Sequence, residues 1–236
     1  MLNPWARAFL WARDHDMKMI APNWVKLCRI GPLLRGERDK RYYRGMITND
    51  GYVDGWKKWY LLSFRRKDIE IIEGQGHDIC DFPMEHESLK TELMRISSPQ
   101  ILSSLDSLPS AYIGVHIRRG DFKVIGRCLP TDYYINAIRL MAAQENRLPI
   151  LIFSDARKEE LEFLRTVGKE FKRMTFMPPA PALHDVLALS RAKALVCTNG
   201  SSFSEWAAFL GQMPTIWSKN GIVVNPIKVS RDIALI

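Results

Sequence analysis

Three short runs in this sequence bring together residue types that do chemistry on an anionic ligand. The first is V-H-I-R-R-G-D-F, in which His116, Arg118, Arg119 and Asp121 crowd six positions. Two adjacent guanidiniums stay charged at any working pH and fork onto phosphate oxygens, which suits a diphosphate leaving group better than Lys would. Transfer of a glycosyl group breaks a bond with charge accumulating on that diphosphate, so neutralising it is what the reaction needs. Gly120 lets the backbone come close to a ligand. The competing reading is a surface ion pair between Arg118 and Asp121, with His116 merely ending a strand. The period of two puts His116 and Arg118 on one face and Arg119 on the other, so one Arg serves the ligand and the second supports it.

The second run is F-S-D, where Ser154 and Asp155 close an apolar stretch. A carboxylate there can accept from a purine's N–H edge, or it can cap the helix that follows. The third is T-N-G-S-S-F-S-E-W, from Thr198 to Trp206. Gly200 permits a tight turn, and Ser201, Ser202, Phe203 and Ser204 lead into a helix whose free backbone N–H groups form an anion site. Ser202 and Glu205 have capping-box spacing, so one hydroxyl caps while Ser201 or Ser204 faces the ligand. The run lacks the closing glycine of a G-x-S-x-G elbow, which disfavours a serine hydrolase.

These runs need a scaffold that presents strand ends. From Ala111 onward, strands at Ala111–Ile117, Ile150–Ser154, Met174–Phe176, Ala194–Thr198 and Thr215–Trp217 alternate with helices at Thr131–Glu145, Lys158–Val167, Leu183–Arg191 and Ser204–Leu210. That alternation predicts a parallel sheet with helices on both faces, a Rossmann-like domain whose ligands sit at the carboxyl ends of the strands. No G-x-G-x-x-G follows a strand, which disfavours a nicotinamide cofactor. Upstream, Asn3-Pro4 opens a helix through Ala12. Lys18–Ala21, Trp56–Phe64 and Ile69–Ile72 read as strands, Glu87–Ile96 as a helix, and Arg29–Gly55 as loop. A boundary at Pro99–Pro109 gives two domains, 1–105 and 106–236.

With 47% hydrophobic and 25% charged residues the chain is an ordinary globular protein, and its formal charge of +8 favours an anionic partner. The cations are dispersed and no nucleic-acid-binding motif appears, so nucleic acid is not expected as a partner. Cys28, Cys80, Cys128 and Cys197 are scattered without metal-ligand spacing and read as reduced, buried thiols. No apolar run spans a bilayer and no signal peptide is evident, so the expected location is cytoplasmic, with peripheral membrane contact open.

The order HIRRGD, FSD, SSFSEW resembles that of the fucosyltransferase superfamily, nearest its α-1,2 branch, and the similarity runs from about Tyr112 to Trp217. The resemblance implies a GT-B-like α/β fold of two Rossmann-like domains, a GDP-fucose donor, a glycan acceptor, inversion and no metal or other cofactor. It sets Arg118 on the diphosphate, His116 and Asp155 near the guanine, Ser202 and Ser204 near the phosphates, and Arg119 and Asp121 in shaping the motif. The base proposed for the α-1,6 branch is matched here by Gly126, which leaves Asp121 as candidate catalytic residue beside Arg118. Family members begin with a strand and a glycine-rich loop, whereas this chain starts close to the following helix. A non-catalytic nucleotide-sugar or glycan-binding remnant is therefore the second reading, and a polyanion-binding module the third. Asp14-His15-Asp16 has the D-x-D form of metal-dependent transferases but closes a helix, and reads as a solvated helix end. Acceptor choice is expected in the loops around Arg35, Arg38, Lys40, Arg41 and Arg44.

Overall fold

The computed structural model describes residues 2–22, 45–72, 84–145, 148–171, 173–219, 222–223 and 227–228. Cys28, Cys80 and the basic loop residues Arg35 to Arg44 lie outside this set, as does the side chain of Asp121. The chain divides into two compact units, residues 1–102 and 103–236.

In the first unit, α1 (Leu2–Asp14) buries Leu2, Trp5, Ala6 and Ala12. Trp5 donates its indole N–H to the Tyr52 hydroxyl at 3.1 Å, and Tyr52 donates to Glu92 at 2.6 Å. Arg95 grips the same carboxylate through two nitrogens, each at 2.7 Å. Burial alone would push Glu92 up, but Arg95 and Tyr52 outweigh it and hold the carboxyl below its usual range. Residues 56–64 form not a strand but the helix α2 (Gly55–Phe64), because the Asp54 side chain accepts from Gly55 N–H and starts a helical turn. The strand expected over Ile69–Ile72 is also absent, and Lys18–Ala21 contributes a single bridge, Ile20 to Val53. The helix α3 (His86–Ile96) follows, burying Leu89, Leu93 and Ile96. A short helix, α4 (Pro99–Leu105), occupies the start of the stretch expected as the domain boundary.

The second unit holds a six-stranded sheet in the order β3-β2-β1-β4-β5-β8. Its strands are β1 (Ile113–Ile117), β2 (Ile150–Ser154), β3 (Met174–Phe176), β4 (Ala194–Val196), β5 (Pro214–Ile216) and β8 (Ile227–Lys228). The first five are parallel, and β8 joins the edge antiparallel to β5. A small hairpin, β6 (Ser218–Lys219) with β7 (Ile222–Val223), precedes β8. Between the strands lie α5 (Gly120–Val124), α6 (Thr131–Gln144), α7 (Phe163–Glu170), α8 (Ala182–Ser190) and α9 (Ser202–Gly211).

All five residues of β1 are buried, as expected of a central parallel strand covered on both faces. Ile113, Val115 and Ile117 point into a core with Tyr133, Tyr134, Ile138 and Met141 of α6 and with Leu164 of α7. The opposite face meets α8 and α9. There Gly114 lets Leu189 and Ala192 approach the sheet, and His116 reaches Ser204. Each large apolar side chain so buried contributes roughly 1.5–3 kcal/mol, so the two-sided packing fixes the register that sets the strand ends.

Candidate functional site

The sheet order places β1 beside β4, with the chain running outward to β2 and β3 on one side and to β5 on the other. This reversal is the topological switch point, where α/β sheets open a crevice at the carboxyl ends of the strands. The first and third sequence runs flank that crevice, and the second sits at the end of the neighbouring β2.

Thr198 joins them. Its hydroxyl donates to His116 C=O at 2.8 Å and accepts the Arg118 backbone N–H at 3.1 Å. The Tyr134 hydroxyl lies 2.8 Å from the same oxygen, which completes its capacity. The Thr198 N–H donates to Ser204 Oγ at 3.1 Å, and Ser204 Oγ lies 2.6 Å from His116 Nδ1. Ser204 is therefore buried as a strut between β1, β4 and α9, and does not face the crevice as the sequence reading allowed. The His116 ring stacks on Phe203 at 4.7 Å between centroids. Burial, with the Arg118 charge adding to it, pulls its pKa down to about 3, so the imidazole is neutral.

Arg118 and Arg119 leave the strand on opposite sides, as the period of two predicts. Arg118 forms an ion pair with Asp155 at 2.7 Å, with 22% of its side chain still accessible, and lies over the Phe122 ring. Arg119 turns toward α6 and α7, where Tyr134 and Phe163 each lie 5.7 Å from its guanidinium carbon. Its Nη1 donates to Leu129 C=O at 3.0 Å, and its buried Nε has no hydrogen-bond partner among the described residues. Arg119 thus anchors the turn, and Arg118 stays partly accessible beside Asp155.

Asp155 does not cap the helical turn that follows it, whose cap is Arg157. The Asp155 Oδ1 accepts the N–H groups of Arg119 at 2.8 Å and Gly120 at 3.3 Å, at the start of α5. A methyl group at Gly120 would overlap this carboxylate, so the glycine makes room for Asp155 rather than for a ligand. Ser154 ties the two strand ends together: its hydroxyl donates to Ile117 C=O at 2.8 Å and accepts Ala156 N–H at 3.0 Å. At α9 the cap is Ser201 and Ser202 is the first helical residue, so the expected capping box from Ser202 to Glu205 does not form. The Ser201 side chain makes no capping bond, and Ser202 is exposed. Gly200 has φ of +66°, the left-handed region that favours glycine, and turns the chain from β4 toward α9. Asp121 follows Gly120 within α5.

The backbone N–H of Arg118 bonds Thr198 at the switch point, and the ten-residue helix α9 begins at Ser202. The sequence model of glycosyl transferase family 11 matches residues 56–223, more than half of the chain. The chain belongs to glycosyl transferase family 11. No curated protein matches the sequence significantly. Among solved structures, the fucosyltransferase NodZ from Bradyrhizobium aligns at 18% identity and a TM-score of 0.42 over 60% of this chain and 53% of NodZ. POFUT1 in complex with GDP-fucose aligns at 12% identity and a TM-score of 0.46, over 83% of this chain and 68% of POFUT1. The chain thus spans about half the length of NodZ, and the family match rather than these superpositions carries the assignment.

Within this family 11 chain, sequence reasoning missed Thr198 as the hub and Tyr134 as its partner. The signal for Tyr134 was a phenol, like its neighbour Tyr133, in a helix that packs on the sheet, since a buried hydroxyl needs a partner. Burial raises the Tyr134 pKa to about 12, against the opposing pull of its Thr198 bond, which keeps that phenol a hydrogen-bond donor. Asn199 was missed as well. Its Oδ1 accepts Ser218 N–H at 2.7 Å and its amide bonds Ser218 C=O, fixing the loop after β4 to the strand end after β5. In the D-x-D run, Asp14 pairs with Arg13 at 2.8 Å and His15 stacks on Trp11.

Proposed function

We propose that this chain transfers fucose from GDP-fucose to a glycan hydroxyl, inverting the transferred carbon and using no metal. The observation that supports it best is Arg118 at the β1–β4 switch point, held in place yet partly accessible, in a member of glycosyl transferase family 11. The bond from the sugar's anomeric carbon to the diphosphate oxygen breaks, and the acceptor oxygen bonds to that carbon from the opposite side. The acceptor's proton leaves to a base, for which Asp121 is the candidate. Arg118 takes up the negative charge growing on the departing diphosphate, and backbone N–H groups at the start of α9 add to it. The guanine donor, the inversion and the absence of a metal follow the family resemblance of the three motifs.

Calorimetric titration with GDP, ADP and UDP, with and without chelator, tests the reading. Selective GDP binding that survives chelation and is lost in Arg118→Ala supports it, and turnover of GDP-fucose then completes the case. Binding without turnover over any glycan acceptor favours a non-catalytic nucleotide-sugar-binding role. A folded chain that binds no nucleotide overturns both.

A further inference from the structure

The helix α2 carries a feature that the donor site does not use. None of its ten residues is buried, and Trp56, Trp59, Tyr60 and Phe64 are 79%, 62%, 42% and 64% exposed. At about 100° per residue these four rings share one arc of roughly 140°. Phe64 lies 5.6 Å from both Trp59 and Tyr60, so these three rings form one continuous patch, with Trp56 one turn before Tyr60 on the same side. The helix is attached by its other side, where Lys58 Nζ donates to Ala21 C=O at 2.6 Å and Leu61 is half-buried.

Within the helix and the three residues after it, the charges have one sign. From Gly55 to Lys67 there are five cations, Lys57, Lys58, Arg65, Arg66 and Lys67, and no carboxylate. The flanking acids are partly engaged: Asp54 accepts from Gly55 and Asn49, and Asp68 pairs with Arg65, while Glu70 is exposed. Lys57, Arg66 and Lys67 are exposed.

We propose that α2 docks on an anionic lipid bilayer, with its rings at the headgroup boundary and its cations on the lipid phosphates. Trp and Tyr prefer that boundary, where an apolar body and a polar tip are both satisfied. An amphipathic helix gains there from buried apolar area and from attraction to anionic lipid together. A symmetric contact with a second copy would instead set this basic segment against itself, because a two-fold interface matches a patch with its own image. No helix among the described residues is long and apolar enough to cross a membrane, so α2 would lie on the surface.

Co-sedimentation of the full chain with phosphatidylcholine vesicles, with or without about 30% phosphatidylserine, tests this. Binding to the anionic vesicles is expected, falling about tenfold in Trp56→Ser/Trp59→Ser and about thirtyfold in Arg66→Ser/Lys67→Ser. Both variants change exposed side chains, and an unchanged thermal transition would verify folding; the second pair keeps the test open if the first misfolds. Absence of binding by the wild-type chain overturns the proposal. So does binding that the Trp substitutions leave unchanged, which would reduce it to general charge attraction. Sedimentation velocity covers the remaining occupant: a concentration-dependent dimer abolished by the Trp substitutions assigns the face to self-association and also overturns the proposal.

Discussion

The Asp155 carboxylate holds the Arg118 guanidinium at 2.7 Å with one oxygen and the backbone N–H groups of Arg119 and Gly120 with the other. Its acceptors are directed at the turn, which gives it the geometry of a support for Arg118 rather than of a reader of a nucleobase. With Asp155→Asn we expect the dissociation constants of GDP and inosine diphosphate to rise by the same factor, about tenfold, as one charge-assisted bond is lost. Titration calorimetry checks this. A loss confined to GDP would show instead that the carboxylate meets the 2-amino group of guanine.

Gly120→Ala puts a methyl group where that carboxylate sits. The turn must shift, and we expect a loss of roughly 1–3 kcal/mol in unfolding free energy together with weaker nucleotide binding. Gly200→Ala makes a useful comparison. Nothing crowds that site, so its cost is the strain of a positive φ alone, about 1–2 kcal/mol. Denaturant melts of the two variants separate crowding from strain.

His116 predicts a pH dependence of stability. Its folded pKa is about 3, lowered by burial and then by Arg118, against about 6.5 in the unfolded chain. Above pH 6.5 neither state binds the proton and the neutral ring's contribution is complete. Between pH 6.5 and 3 the unfolded state binds it and the folded state does not, so stability falls as pH falls. The slope is on the order of 1.4 kcal/mol per pH unit well below 6.5. His116→Gln removes this component, so urea melts at pH 7 and pH 5 should differ less for the variant than for the wild type.

Thr198→Val keeps the shape of the hub and removes its hydroxyl. The N–H of Arg118 and the hydroxyl of Tyr134 each lose an acceptor, and His116 C=O loses a donor. We expect roughly 2–4 kcal/mol of destabilisation, and about 1 kcal/mol for Thr198→Ser, which restores the hydroxyl and drops one methyl group. Equal costs for the two variants in denaturant melts would refute the hub.

The parallel sheet was legible because its central strands are covered on both faces, so that Ile150–Ser154 and Ala194–Val196 appear as apolar runs between turn residues. Residues 56–64 misled because aromatic content mimics a strand, although Trp56, Trp59 and Tyr60 already stood at helical spacing behind Asp54. Sequence order also located the strand ends that carry His116, Arg118 and Asp155. It did not show which hydroxyl bonds which strand, since Thr198, Ser201, Ser202 and Ser204 are similar in composition and are distinguished only by where α9 begins. Gly120 was legible as a position needing a missing side chain. That the space belongs to Asp155 depends on a contact across 35 residues that no local pattern encodes.

The bond from the Thr198 hydroxyl to His116 C=O closes a separation of 82 residues. Contacts of that range form after local ones, since a long stretch of chain must be ordered before they repay its loss of freedom. During synthesis from the N-terminus, the Arg118 turn emerges well before Thr198 and α9 exist to receive it. Assembly of this crevice is therefore a late event in the folding of its unit, and it coincides with the docking of β4.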